Sequence, residues 1–235
     1  AGPARTTAWT ESWRHADELA GRVIATELEA DDSELAATRS LLDALGACDE
    51  PVHLVVSNSM PIRDLDAVMR HVGVPVDVVA NRGANGIDGV IATGAGIAEA
   101  TGRPTVLLVG DVAAVHDIGG LAAAARLGLD NLTVVLVDND GGGIFAFLPI
   151  AGRIDEASFR ELFITPHGTD LAAVATAMGY EAVDVATARA VGEAALASPR
   201  RGPRLVRFQT TAAATVTAMN ALRAGVARVL EQPGS

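Results

Sequence analysis

Residues 105–143 read TVLLVGDVAAVHDIGGLAAAARLGLDNLTVVLVDNDGGG. Two short runs dominated by Val and Leu, 105–110 and 133–138, each stop abruptly in polar and glycine residues: Gly110-Asp111, and Asp138-Asn139-Asp140-Gly141-Gly142-Gly143. An alanine- and leucine-rich stretch of helical length, 117–128, lies between them. Uninterrupted apolar runs of this size mark strands buried on both faces. Strand, helix, strand is the right-handed crossover that sets two parallel strands side by side. The stretch therefore predicts an α/β fold, with Asp111 and Asn139, 28 residues apart, at the carboxyl ends of neighbouring strands.

The same alternation continues in both directions. Further strands are expected at 52–57, 76–80, 182–185 and 204–209, and further helices at 62–71, 87–102, 169–179, 186–197 and 212–231. Together they predict a doubly wound, mainly parallel six-stranded sheet with helices on both faces. Residues 8–46 carry two helical patterns with charged faces and no strand, so 1–48 is expected to be an arm, a linker or the remnant of a preceding domain. The closing QPGS is the one plainly loose segment, and no repeat of fixed period is present.

Composition narrows the chemistry. All eighteen basic residues are arginine. A chain without lysine can form no Schiff base and no Walker A phosphate loop, whereas arginine suits forked carboxylates and phosphates. The net charge of −11 argues against a nucleic-acid partner. No apolar run reaches the ~18 residues of a membrane span. The single cysteine, Cys48, excludes an intramolecular disulfide and a multi-cysteine metal site, and fits a reducing, cytoplasmic setting. The segment AGPARTTAWTESW lacks the basic and apolar halves of a signal peptide.

Ligands of open parallel sheets bind outside the carboxyl ends of the strands. There a carboxylate (Asp111), an amide oxygen (Asn139) and a backbone carbonyl in the glycine turn (Gly141) offer hard donors for Mg²⁺, and Mn²⁺ would also fit. The glycines let backbone amides approach an anion closely. Taken singly, GD and DNDGGG would each be ordinary turns; their spacing and shared position at strand ends favour a site. A dinucleotide fingerprint is weaker: GAGIAEA (94–100) has Glu99 where the third glycine belongs.

A GD pair followed some twenty-five to thirty residues later by Asn resembles the cofactor motif of thiamine diphosphate enzymes. Val112 and Asp138 depart from the general pattern. SNSMPIRD (57–64), NRGANGIDG (81–89), GDVAAVHD (110–117) and DNDGGGIFAFLP (138–149), in this order, resemble the menaquinone-pathway family of 2-succinyl-5-enolpyruvyl-6-hydroxy-3-cyclohexene-1-carboxylate (SEPHCHC) synthases, in which Val112 is usual. The resemblance covers about residues 50–180. It implies that 49–235 is the diphosphate-binding domain, that thiamine diphosphate and Mg²⁺ are the cofactors, and that 2-oxoglutarate and isochorismate are the substrates.

Residue by residue, the resemblance implies that Asp111, Asn139 and Gly141 hold the metal. Asn58, Ser59, Asn85, Gly86, Ile87, Gly110, Val112, Ala113, Gly142, Gly143 and Ile144 would complete the cofactor site. Ile87 would wedge beneath the cofactor and bend it, with Asn85 helping to hold its pyrimidine ring; these two are the expected catalytic contributors. Ser59, Arg63 and Arg82 would meet substrate carboxylates, and Ile144, Phe145 and Leu148 would form an apolar cover. Plain alternatives stand beside these roles: core packing for Ile87 and the apolar cover, surface ion pairs for the arginines. Among the histidines, His116 is expected to support or cap rather than transfer protons, while His15, His53, His71 and His167 have no assigned duty. The family's activating glutamate belongs to a pyrimidine-binding domain supplied by a partner subunit, and no segment here resembles that domain. The expectation is a homo-oligomer, with this chain a carboxyl-terminal portion that binds cofactor weakly and turns over negligibly alone. A different thiamine diphosphate decarboxylase or carboligase, a separate half-enzyme, and a non-catalytic binding module remain as alternatives.

Overall fold

The apolar runs assemble into one sheet. In the computed structural model, which describes residues 7–69, 76–198 and 201–231, the strands are β1 (Val52–Val56), β2 (Val76–Ala80), β3 (Thr105–Gly110), β4 (Leu132–Asp138), β5 (Glu181–Val185) and β6 (Arg204–Gln209). They pair in the order β2-β1-β3-β4-β6-β5, and every pairing is parallel. Each strand lies within one residue of its expected bounds. The α-helices of the described residues are α1 (Ala8–Glu27), α2 (Glu34–Gly46), α3 (Met60–Val68), α4 (Val90–Thr101), α5 (Asp111–His116), α6 (Ile118–Leu127), α7 (Glu156–Phe159), α8 (Leu171–Ala177), α9 (Ala190–Leu196) and α10 (Ala212–Leu230). The end of the helix expected at 62–71, with His71, and the terminal QPGS lie outside the described residues. None of the described helices is long and apolar enough to cross a membrane.

Strand periodicity divides the core in two. Val106 and Leu108 of β3, with Val135 and Val137 of β4, pack toward α2, α3, α9 and α10. Leu107, Val109, Val134 and Leu136 point the other way, toward α4, α5, α6 and α8. Order reverses between β1 and β3, so the loops after these strands diverge to opposite faces and leave a crevice at their carboxyl ends. Asn58 follows β1, Asp111 follows β3 and Asn139 follows β4, all at this edge.

The amino-terminal region is helical as expected, but its second helix is part of the body. Leu35, Leu41, Leu42 and Leu45 recur at helical spacing, and all four are buried in the core. α2 packs between α3 and α9. Its approach is set by Asp32, whose carboxylate accepts the Ala188 N–H (2.8 Å) and whose carbonyl accepts the Thr210 hydroxyl (2.9 Å). Only α1 keeps the character of an arm: Trp9 and Trp13 are largely exposed, while its far end leans on α10.

Two arginines of β6 that composition alone would leave for ligands are structural. Arg204 forks onto Glu181 of β5 (2.9 Å to each oxygen), and Arg207 forks onto Asp184 (2.7 and 2.8 Å) and also reaches Asp170 (2.9 Å). Such bidentate cross-strand pairs fix register as well as contributing energy.

The α2–α9 seam makes a paired prediction. A Cβ at Gly192 would collide with the Ser40 carbonyl and lie 2.8 Å from Ala44 Cβ, so Gly192→Ala should lower stability in urea unfolding by about 1–3 kcal/mol. Exposed Gly96 of α4 has open space at its Cβ, and Gly96→Ala should raise stability by roughly 0.5–1 kcal/mol.

Candidate functional site

Two strand ends meet at the Asp111 carboxylate. It is 2% exposed. One oxygen accepts the Val112 N–H (2.7 Å), and the other accepts the N–H groups of Asn139 (3.1 Å) and Gly141 (2.9 Å). A single carboxylate thus joins the end of β3 to the turn after β4. Burial is the main influence on it and pushes the Asp111 carboxyl upward; nearby Asp138 adds to this, while the Gly141 and Val112 amides and His167 oppose it.

The glycine turn is shaped by what covers it. The Gly142 N–H bonds the Ile164 carbonyl (2.8 Å), and a Cβ at Gly141 would strike that same carbonyl. A Cβ at Gly143 would stand 2.6 Å from Asn139 Nδ2. Any side chain at these positions would displace either the covering segment or the Asn139 amide.

Asn139 itself is half satisfied. Its Nδ2 donates to Glu34 Oε1 (2.6 Å), while its Oδ1 is buried without a partner among the described residues. A buried amide oxygen left open next to a buried carboxylate fits a hard cation, and the Gly141 carbonyl, which among the described residues accepts only the Gly143 N–H (2.9 Å), keeps a lone pair. The donor set present therefore suits Mg²⁺. A different trio, Asp111, Asp138 and His167, also has ligand atoms within 4.8 Å of one another. Two features disfavour it. His167 Nδ1 accepts the Thr169 N–H (3.0 Å), which places the ring proton on Nε2, so that this nitrogen, 3.4 Å from Asp111 Oδ2 but not hydrogen-bonded to it, offers no lone pair; Asp138 lies 3.7 Å from the Arg207 guanidinium.

A cavity of about 180 Å³ opens over this centre. Of the residues expected from sequence, Asn58, Ser59, Ile87, Gly110, Asp111, Val112, Ala113, Asn139, Gly141, Gly142, Gly143, Ile144 and Phe145 line it. Ile87 also packs on the core below. Asn85 and Gly86 do not line the cavity. They are held at its rim by Asn58, whose Nδ2 donates to the Asn81 (3.0 Å) and Gly86 carbonyls. Asn85 is exposed at φ 46°, and Ser59 adopts φ 71°, a strained conformation for a non-glycine residue.

Arg63, Arg82 and Leu148 stand outside this cavity. Arg82 donates to Asn58 Oδ1 (2.9 Å) and Arg63 to the Ser59 carbonyl (2.6 Å). Both arginines border one surface depression, and Arg63 with Ile144 and Leu148 also borders a larger cavity of about 780 Å³ beside α10. His116 ends α5 and is exposed.

Sequence reasoning missed Glu34, Asp64 and His167. Glu34, 2% exposed at the start of α2, accepts the Asn139 Nδ2–H, and Asp64 of α3, 1% exposed, is a second buried carboxyl close enough to Glu34 to feel its charge. Burial pushes both upward. Asp64 reaches about 9 through burial first and then the charge of Glu34, with Arg63 opposing.

The fold and site define a doubly wound domain with a strand-end crevice furnished with oxygen donors. The family model described as "Thiamine pyrophosphate enzyme, C-terminal TPP binding domain" matches residues 67–208, and the chain belongs to that family. Relatives named 2-succinyl-5-enolpyruvyl-6-hydroxy-3-cyclohexene-1-carboxylate synthase include those of Myxococcus xanthus, 46% identical over 172 residues (72% of this chain, 29% of the relative), and Chloroflexus aurantiacus, 40% identical over 205 residues (87% and 34%). The chain thus spans about a third of these relatives' length. Among solved structures, benzoylformate decarboxylase from Polynucleobacter necessarius shares the fold, with a TM-score of 0.62 at 19% identity over 77% of this chain and 33% of that one.

The raised Asp64 carboxyl carries a pH prediction. The folded state holds a proton there that the unfolded chain releases above about pH 4. This contribution to stability is complete below that pH and is lost as pH rises toward 9. In the metal-free chain, the decline of the urea midpoint between pH 5 and 8 should become shallower in Asp64→Asn; an unchanged slope would contradict the assignment.

Proposed function

We propose that this chain is the diphosphate-binding part of a thiamine diphosphate-dependent carboligase that decarboxylates 2-oxoglutarate and adds the remaining four-carbon unit to isochorismate, giving SEPHCHC. The observation that carries the reading is the unpartnered, buried Asn139 Oδ1, converging with Asp111 and the Gly141 turn at the switch point of the sheet. The substrate assignment is supported by the relatives' shared name and by two arginines bordering the approach to the cavity.

In this reading Asp111, Asn139 Oδ1 and the Gly141 carbonyl would hold Mg²⁺, which would supply positive charge for a diphosphate. Bound thiamine diphosphate supplies the electron sink for decarboxylation and carbon–carbon bond formation. The protein's share is position and exclusion. Ile87 supports the cofactor from below, and Asn58 holds the 81–86 loop, with Asn85, against the cavity rim. Ile144 and Phe145 shield the reacting centre from water, which strengthens the electrostatics there. Ser59, Arg63 and Arg82 receive substrate carboxylates, with Arg82 oriented by Asn58 and Arg63 by the Ser59 carbonyl. Leu148 extends the apolar wall toward the larger cavity. A pyrimidine-binding domain from a partner subunit completes the site in a homo-oligomer, and a cytoplasmic location fits the lone cysteine.

The full-length enzyme decides the matter. With Mg²⁺ and thiamine diphosphate it should consume 2-oxoglutarate in the presence of isochorismate and leave pyruvate untouched; turnover of pyruvate instead would overturn the substrate assignment. Asp111→Ala should weaken Mg²⁺-dependent cofactor binding by more than about 100-fold, as loss of a buried charged partner does.

A further inference from the structure

The cation reading depends on which end of the Asn139 amide faces the cavity. The two ends have nearly the same shape and opposite chemistry: the oxygen can ligate a cation, and the NH₂ group repels one. Nothing on the cavity side fixes the choice, because Oδ1 has no partner there. The choice is made at the other end, where Nδ2 lies 2.6 Å from Glu34 Oε1.

We propose that Glu34 is a positioning residue that holds the Asn139 amide with its oxygen turned toward the cation. The inference rests on Asn139 being a ligand and adds a residue that lies, with Asp64, before the matched segment 67–208. Two features support it. Glu34 is buried in the cavity wall beside Asn139, and the α2 start is tied down by Asp32 and by the Glu34 N–H on Thr215 Oγ1 (3.4 Å), so the carboxyl that accepts the Asn139 Nδ2–H has a fixed address. Finally, Gly143 leaves open the space through which Nδ2 reaches Glu34, since a Cβ there would stand 2.6 Å from that nitrogen.

Glu34→Met and Glu34→Gln separate orientation from charge. Both remove the charge and keep nearly the same volume, but only Gln retains an oxygen that can accept from Nδ2. In the full-length protein at saturating thiamine diphosphate, Mg²⁺ is titrated and its half-saturation read by calorimetry or by the circular dichroism of the bound cofactor. Glu34→Met should raise the half-saturating concentration by at least about tenfold, in the range seen when the partner of a metal ligand is lost, and by at least about threefold more than Glu34→Gln. Glu34→Ala takes the place of Glu34→Met in the same comparison if the thioether prevents folding. A difference between the two variants below threefold means that charge alone acts, and overturns the positioning role. A wild-type protein without Mg²⁺-dependent cofactor binding overturns this role and the cofactor reading together, whereas normal wild-type binding with indistinguishable variants overturns this role only.

Discussion

The site is organised by one buried carboxylate with three backbone amides on it. Asp111 closes the gap between β3 and the turn after β4 by accepting from Val112, Asn139 and Gly141, and His167 Nε2, from the segment before α8, lies 3.4 Å from it. Three stretches of chain are thereby brought to one point, and the first two depend on the sheet holding β3 and β4 in register. Such a carboxylate is costly to bury, as its upward shift records, and a cation seated against it would offset that cost. Fold and proposed function are linked here: the crossover that sets β3 beside β4 also brings a carboxylate and an amide oxygen to adjacent positions.

A further support comes from α2, whose Glu34 accepts from Asn139 in the wall of the cavity. Because α2 is seated between α3 and α9 by its leucine stripe, the packing of an amino-terminal helix is connected to the orientation of one amide at the centre. The close Gly192–Ser40 approach belongs to the same chain of support, since it sets how deeply α2 lies against α9.

Much of this was legible in the sequence, for definite reasons. The strands announced themselves because a doubly covered parallel sheet needs unbroken apolar runs, and TVLLVG and TVVLVD admit few other readings. Asp111, Asn139 and the glycines could be placed because strand ends and turn chemistry are local properties. Glu34 and His167 could not. Glu34 stands 105 residues from Asn139, in a helix whose charged pattern reads as solvated, and only the leucines at 35, 41, 42 and 45 hinted that this helix is covered. His167 meets Asp111 through an irregular segment with no periodicity to place it. Arg204 and Arg207 show what residue type leaves open: nothing in the strand run says which carboxylates they meet, and cross-strand Glu181 and Asp184 claim them.

The central claim is that Asp111, Asn139 and the Gly141 carbonyl form a single cation site. Crystals of the full-length protein grown with thiamine diphosphate and Mn²⁺, measured for anomalous scattering, test it most directly. The account predicts one Mn²⁺ peak in coordination contact with the Asp111 carboxylate, Asn139 Oδ1 and the Gly141 carbonyl oxygen. A peak bound instead by Asp138 and His167, with Asn139 left out, would contradict it.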